Sequence, residues 1–242
     1  MNAPVTLHTA PGAAALAQAA AASWQAALST HPAHQPFAIA LSGGRIPKAL
    51  YQAFVHAQRA APVPLDDVHF FWGDERIVPP DDPESNFRLA DEGLLNPLEI
   101  PAAQIHRVRT EWDADRMVAQ AEAALRDITR TRAPAMPVLD LVFLGMGEDG
   151  HIASLFPEDA EALVSSSVYR AVTASKPPPR RVTLGFPTLA VARRVWVLVS
   201  GQGKEAALRG SLDGTARTPL AHLLELRAAT ETKLFTDFQP AA

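Results

Sequence analysis

Four apolar runs of strand length, each ending at a glycine-bearing turn, constrain this chain more than any other feature. Phe37–Leu41 runs into Ser42-Gly43-Gly44, and Val68–Trp72 into Gly73-Asp74. Leu139–Leu144 runs into Gly145, and Arg194–Val199 into Ser200-Gly201. A strand with one wet face alternates apolar and polar residues, whereas a nearly continuous apolar run needs cover on both faces. These four segments therefore predict buried parallel strands.

Parallel strands need crossovers, and helical patterns lie where crossovers are required. Pro47–Arg59 begins with proline at a first-turn position and carries Leu50, Phe54 and Val55 on one face. Asp113–Arg130 spaces Met117, Ala121, Ala124, Leu125 and Ile128 helically, and Gly203–Leu212 is a shorter candidate. Strand and helix in alternation predict an α/β fold: a doubly wound, mostly parallel Rossmann-like sheet with helices on both faces. The proline-rich stretches at 79–83 and 177–179 are too short for interdomain linkers, so residues 1–242 are expected to form a single domain.

Composition narrows the partners. A formal net charge of −4 gives no electrostatic footprint for nucleic acid or an anionic membrane, so an anionic small molecule has to be held by a few local cations. The absence of cysteine excludes disulfides, a thiolate nucleophile and Cys-ligated zinc. Residues 1–65 contain no Asp or Glu, but the first Lys or Arg is Arg45, which argues against an arginine-rich transit peptide. No window offers the roughly 18–20 apolar residues of a membrane span. A cytoplasmic protein, monomeric or a small homo-oligomer, is the expectation.

In an open parallel sheet, ligands bind beyond the C-terminal strand ends, so the four turns belong to one site. Ser42, Gly43 and Gly44, ahead of a helix, allow backbone N–H groups to approach an anion, or they form a tight turn and no more. Asp74-Glu75-Arg76, with Ser85-Asn86 ten residues on, reads either as a solvated loop with a local Asp–Arg pair or as an arginine placed to clamp an oxyanion. The strongest local signal is Gly145-Met146-Gly147-Glu148-Asp149-Gly150-His151. Asp149 lies two residues from His151, close enough to orient an imidazole suited to general-base work on water. This pair supplies at most two metal ligands, so neither a metal nor another cofactor is expected. Arg181 and Lys204, beside strand-like segments, complete a possible phosphate pocket with the Ser42 turn.

These residues, in this order from about Phe37 to Lys204, resemble the 6-phosphogluconolactonase family, which shares its fold with the glucosamine-6-phosphate deaminases. The string from Gly145 through His151-Ile152-Ala153-Ser154-Leu155-Phe156-Pro157 is its most specific part, followed by Gly73–Arg76 with Ser85-Asn86. Deaminases typically continue after Asp-Gly-His with Ala-Phe-Asn-Glu-Pro; here the continuation is Ala153-Ser154-Leu155-Phe156-Pro157, with Phe156 at the position of that Glu. They also carry Asp-Glu-Tyr where Asp74-Glu75-Arg76 stands here. The resemblance implies hydrolysis of 6-phospho-D-glucono-1,5-lactone without metal or cofactor. It casts His151 as general base, Asp149 as its orienter and Arg76 as the oxyanion partner, with Asn86 as a positioner. Asp74 is expected to position Arg76. Ser42, Gly43, Gly44, Arg181 and Lys204 are expected to hold the 6-phosphate. The family's loop usually reads Ser-Gly-Gly-x-Thr-Pro. Here Ile46 replaces the Thr and its hydroxyl, leaving a compensating role open to Arg45.

Overall fold

The computed structural model describes residues 5–227 and 229–238. The described residues include nine strands: β1 Val5–Thr9, β2 Phe37–Leu41, β3 Val68–Trp72, β4 Asp74–Arg76, β5 Leu141–Gly145, β6 Tyr169–Thr173, β7 Arg180–Leu184, β8 Val195–Val199 and β9 Thr232–Thr236. Six of them form one parallel sheet in the order β1-β9-β8-β5-β2-β3. The four predicted runs form its centre and one edge. β2 and β3 have the expected bounds, and β5 and β8 differ by one or two residues. β1 and β9 extend the other side. Their sequences, Val-Thr-Leu-His-Thr and Thr-Lys-Leu-Phe-Thr, lack a continuous apolar run and were not among the expected strands.

Because side chains alternate across a strand, each central strand feeds two cores. Ala38, Ala40, Val142, Leu144, Val195, Val197 and Val199 face one side; Phe37, Ile39, Leu41, Leu141, Phe143, Trp196 and Leu198 face the other. The second side is covered by helices Ala13–Ser29 and Arg45–Ala60, where Trp24 stacks on Phe54 with ring centroids 3.7 Å apart. Each such fully buried large side chain stabilises the fold by about 1.5–3 kcal/mol relative to exposure. The first side is covered by helix Ala114–Ile128 through Met117, Ala121 and Leu125, and by helices Glu205–Asp213 and Pro219–Leu226. The doubly wound architecture is as expected.

One layer was not expected. β4, β7 and β6 form a small antiparallel sheet on that first side. Only Gly73 separates β3 from β4; its N–H donates to Leu41 O (2.8 Å), and its carbonyl accepts from Leu184 N (2.8 Å). The chain thus passes directly from the main sheet into the small one. Asp74-Glu75-Arg76 is therefore a strand rather than a solvated loop, and Asp74 and Glu75 are buried.

Two helix starts matter for the site. Helix Arg45–Ala60 begins two residues before the expected Pro47, because proline is tolerated within the first turn. Neither it nor helix Ala13–Ser29 has a side-chain cap or an acidic residue in its first turn. Their leading N–H groups are thus left for another acceptor. In the sheet order, β2 has β3 on one side and β5 on the other. The turns after β2 and β5 splay apart there, which opens a crevice.

Candidate active site

That crevice is a cavity of about 410 Å3 at the C-terminal strand ends. Ser42, Gly43, Gly44, Arg45, Asp74, Arg76, Asn86, His151, Arg181 and Lys204 all line it. Asp149 stands behind His151. The structure therefore gathers the predicted residues from six segments of strand, helix and loop spread over more than 160 positions.

The His151 imidazole meets Asp149 through Nδ1 and Oδ1 at 2.5 Å. An ionised carboxylate only accepts, so Nδ1 carries the proton and Nε2 holds the lone pair. Partial burial alone would raise the Asp149 carboxyl, but hydrogen bonds from Lys176 and His151 outweigh it and hold the group well below the usual carboxylate range. For His151, burial is the larger effect and depresses its basicity, with Asp149 opposing. The pair is thus a neutral imidazole on an ionised carboxylate at neutral pH. Gly147 is required beneath it, since a Cβ there would overlap the His151 ring. Phe156 stands where the deaminase pattern places Glu, and its ring lies 4.7 Å from the imidazole, centroid to centroid.

Two pairs of cations occupy different parts of the cavity. Lys204 neighbours Arg45, Glu148 and Asp237; burial is the main cause that lowers its ammonium pKa, and Arg45 adds to it. The Arg45 guanidinium reaches to within 3.8 Å of where a Gly201 side chain would begin. Ala13 lines the same cavity, so both uncapped helix starts face the site that holds these cations. The Ile46 side chain packs into the core with Leu50 and Phe54, and supplies nothing polar in place of the family's Thr.

The second pair is Arg76 and Arg181. Arg181 was expected beside Lys204, but the antiparallel register sets it opposite Arg76. Its guanidinium is largely committed within the protein, donating to the carbonyls of Lys176, Pro177 and Pro178 and to Ser154 Oγ. Asp74 was expected to position Arg76. Instead it accepts from Ser154 Oγ (2.6 Å) and Asn86 Nδ2 (3.3 Å) and lies 4.0 Å from Arg181. Arg76 instead donates to Glu84, through its carbonyl at 3.0 Å and its carboxylate at 3.4 Å. The cause is the β4–β7 pairing, which turns the Asp74 carboxylate toward Ser154 beneath the cavity floor.

One supporting residue, Tyr51, carried no signal in the sequence, and others hold the site in ways the sequence did not show. Tyr51 Oη donates to Ser42 O (2.5 Å) and accepts from Ser42 N (3.0 Å), which fixes the turn from the helix behind it. Glu75 accepts from the backbone N–H groups of Arg76, Asn86 and Phe87. Burial nevertheless pushes its carboxyl up to about 7. Asn86 in turn lies so close to Gly43 that any Cβ there would overlap it. Ser154 is fully buried, with its hydroxyl spent on Asp74, and so is not placed as a nucleophile. Among the described residues, no group of three or more His, Asp or Glu is placed to hold a metal, and no helix is long and apolar enough to cross a membrane.

Residues 11–232 match the family described as glucosamine-6-phosphate isomerases/6-phosphogluconolactonase. A 6-phosphogluconolactonase of Mycobacterium tuberculosis is 41% identical over 182 residues, covering 73% of this chain and 72% of that protein. One from Nostoc is 42% identical over 175 residues, covering 71% and 70%. The solved structure of 6-phosphogluconolactonase from Trypanosoma cruzi superimposes with a TM-score of 0.87 at 26% identity, covering 98% of this chain and 96% of that one. With the family matched over most of its length and relatives of this similarity, the chain belongs to the glucosamine-6-phosphate isomerase/6-phosphogluconolactonase family.

Proposed function

We propose that this protein hydrolyses 6-phospho-D-glucono-1,5-lactone to 6-phospho-D-gluconate in the cytoplasm, using a water activated by His151. The observation that carries this reading is the His151–Asp149 pair. It is a neutral base with Nε2 free of its carboxylate partner, in one cavity with the exposed Arg45 and the half-buried Lys204. The relatives' names supply the substrate class, and the Phe156 position argues against the deaminase relay.

The steps follow from the chemistry of an ester. The 6-phosphate sits against Arg45, Lys204 and the N–H groups of the two helix starts, where dipole and charge both favour an anion. Water adds to C1 as His151 Nε2 takes its proton, and the carbonyl oxygen becomes an oxyanion near Arg76. Collapse breaks the bond from C1 to the ring oxygen, and the imidazolium returns its proton to that alkoxide. Asp149 stays ionised throughout and stabilises the imidazolium. Asn86, fixed by Asp74 and by the Glu75-held backbone, presents its amide to the sugar. Asp74 and Arg181 hold the floor. No step requires a metal, so turnover is expected to survive exhaustive chelation.

The test compares the phosphorylated and plain lactones side by side with the spontaneous rate subtracted, alongside ammonia release from glucosamine 6-phosphate. Faster turnover of the phosphorylated lactone and no ammonia are expected. Ammonia release would transfer the site to the sister activity, and tight binding of 6-phosphogluconate without turnover would make it a sensor.

A further inference from the structure

The carboxylate that orients His151 has a second partner. Lys176 Nζ lies 2.7 Å from Asp149 Oδ2, while Oδ1 faces the imidazole. Lys176 sits between β6 and β7, in the same loop whose carbonyls hold Arg181. We infer that Lys176 is a positioning residue for the base: it locks the Asp149 carboxylate against Nδ1 and draws part of its charge away from the imidazole. One short loop thereby ties the His151 side of the cavity to the Arg181–Asp74 side. Its side chain holds Asp149, and its backbone holds the guanidinium.

The charged groups around the imidazole are few. Asp149 and Asp74 favour its protonated form, Lys176 disfavours it, and burial disfavours it most. Phe156 covers one side of the ring without a charge. Glu158 lies near Lys176 and Asp149, held below the usual range first by a hydrogen bond from Ser175. A cation on the outer oxygen of Asp149 therefore has a definite sign of effect. It keeps His151 neutral, and so able to accept a proton, at lower pH than Asp149 alone would allow. Lys176 is exposed and Asp149 only half-buried, so removal of the ammonium leaves no fully buried group without a partner.

The inference deepens the proposed reaction, but its primary test needs no substrate. His151 is titrated by NMR in the free protein, its resonance assigned by its loss in His151→Ala. Lys176→Met is expected to raise the midpoint, and Lys176→Arg to leave it near the wild-type value. In the lactone assay, the acid limb of kcat/KM should move to higher pH in the methionine variant alone. An unmoved midpoint in Lys176→Met overturns the inference, as does an equal shift in Lys176→Arg. A raised KM with an unmoved midpoint would make Lys176 a substrate contact instead. Failure of lactone turnover would leave the titration result standing, so the two readings fall separately.

Discussion

Replacing Tyr51 by Phe removes one oxygen from a site the substrate never reaches, yet the structure assigns it a large effect. The phenol is fully buried and satisfies both backbone groups of Ser42, accepting from the N–H and donating to the carbonyl. Its loss leaves two buried polar groups without partners at about 1–3 kcal/mol each. Ser42 borders the open cavity, so water can reach part of the defect, and we expect the lower end of that sum, roughly 2–3 kcal/mol. With a urea slope of about 2–3 kcal/mol per molar, the midpoint should fall by around 1 M with the slope unchanged. In the proposed reaction the same turn presents N–H groups to the phosphate, so KM should rise more than kcat falls. A midpoint within about 0.2 M of wild type would refute the reasoning, because it would mean that the Ser42 backbone groups find other partners at no cost.

Gly43→Ala would put a Cβ on the Asn86 amide, which Asp74 holds in place. A displacement near an ångström in a positioning group costs on the order of 100-fold, so lactone kcat/KM should collapse while the circular dichroism spectrum stays native. Lys204→Ala and Arg45→Ala each remove a charged donor worth about 1.5–3 kcal/mol, which predicts a roughly 10- to 100-fold loss in kcat/KM for the phosphorylated lactone. The plain lactone should be nearly indifferent to both; equal losses on the two substrates would misplace the phosphate. His106 stacks on Phe71 and bonds His69, and burial, then His69, lowers its pKa to about 4. The unfolded chain therefore binds the extra proton between about pH 6.5 and 4, and stability should decline as pH falls through that window. Urea midpoints at pH 7 and pH 5 should converge in His106→Phe, and an unchanged difference would exclude this source.

The sheet was legible because β2, β3, β5 and β8 are covered on both faces and carry that fact as unbroken apolar runs. β1 and β9 were not, since Thr, His and Lys interrupt them, and their pairing partners lie more than 220 residues apart. The small sheet was hidden for a different reason. Asp74-Glu75-Arg76 has the composition of a solvated loop, and it takes partners distant in sequence, Ser154 for Asp74 and the start of helix Asn86–Ala90 for Glu75, to bury those carboxylates. The gathering of site residues followed from the strand-end rule, so Ser42, Arg76, His151 and Lys204 could be placed in one cavity from sequence. Their pairwise contacts could not. The separation of Arg181 from Lys204 depends on the β4–β7 register, and the Lys176–Asp149 contact spans 27 residues with no local pattern to announce it.

The most direct test of the account concerns His151 itself. Lactone hydrolysis by His151→Ala, with the spontaneous rate subtracted, is predicted to fall roughly 100- to 10,000-fold, the range of general-base catalysis. Affinity for 6-phosphogluconate should hold, because Arg45 and Lys204 remain. A variant that hydrolyses the lactone at close to the wild-type rate would contradict the assignment of the base.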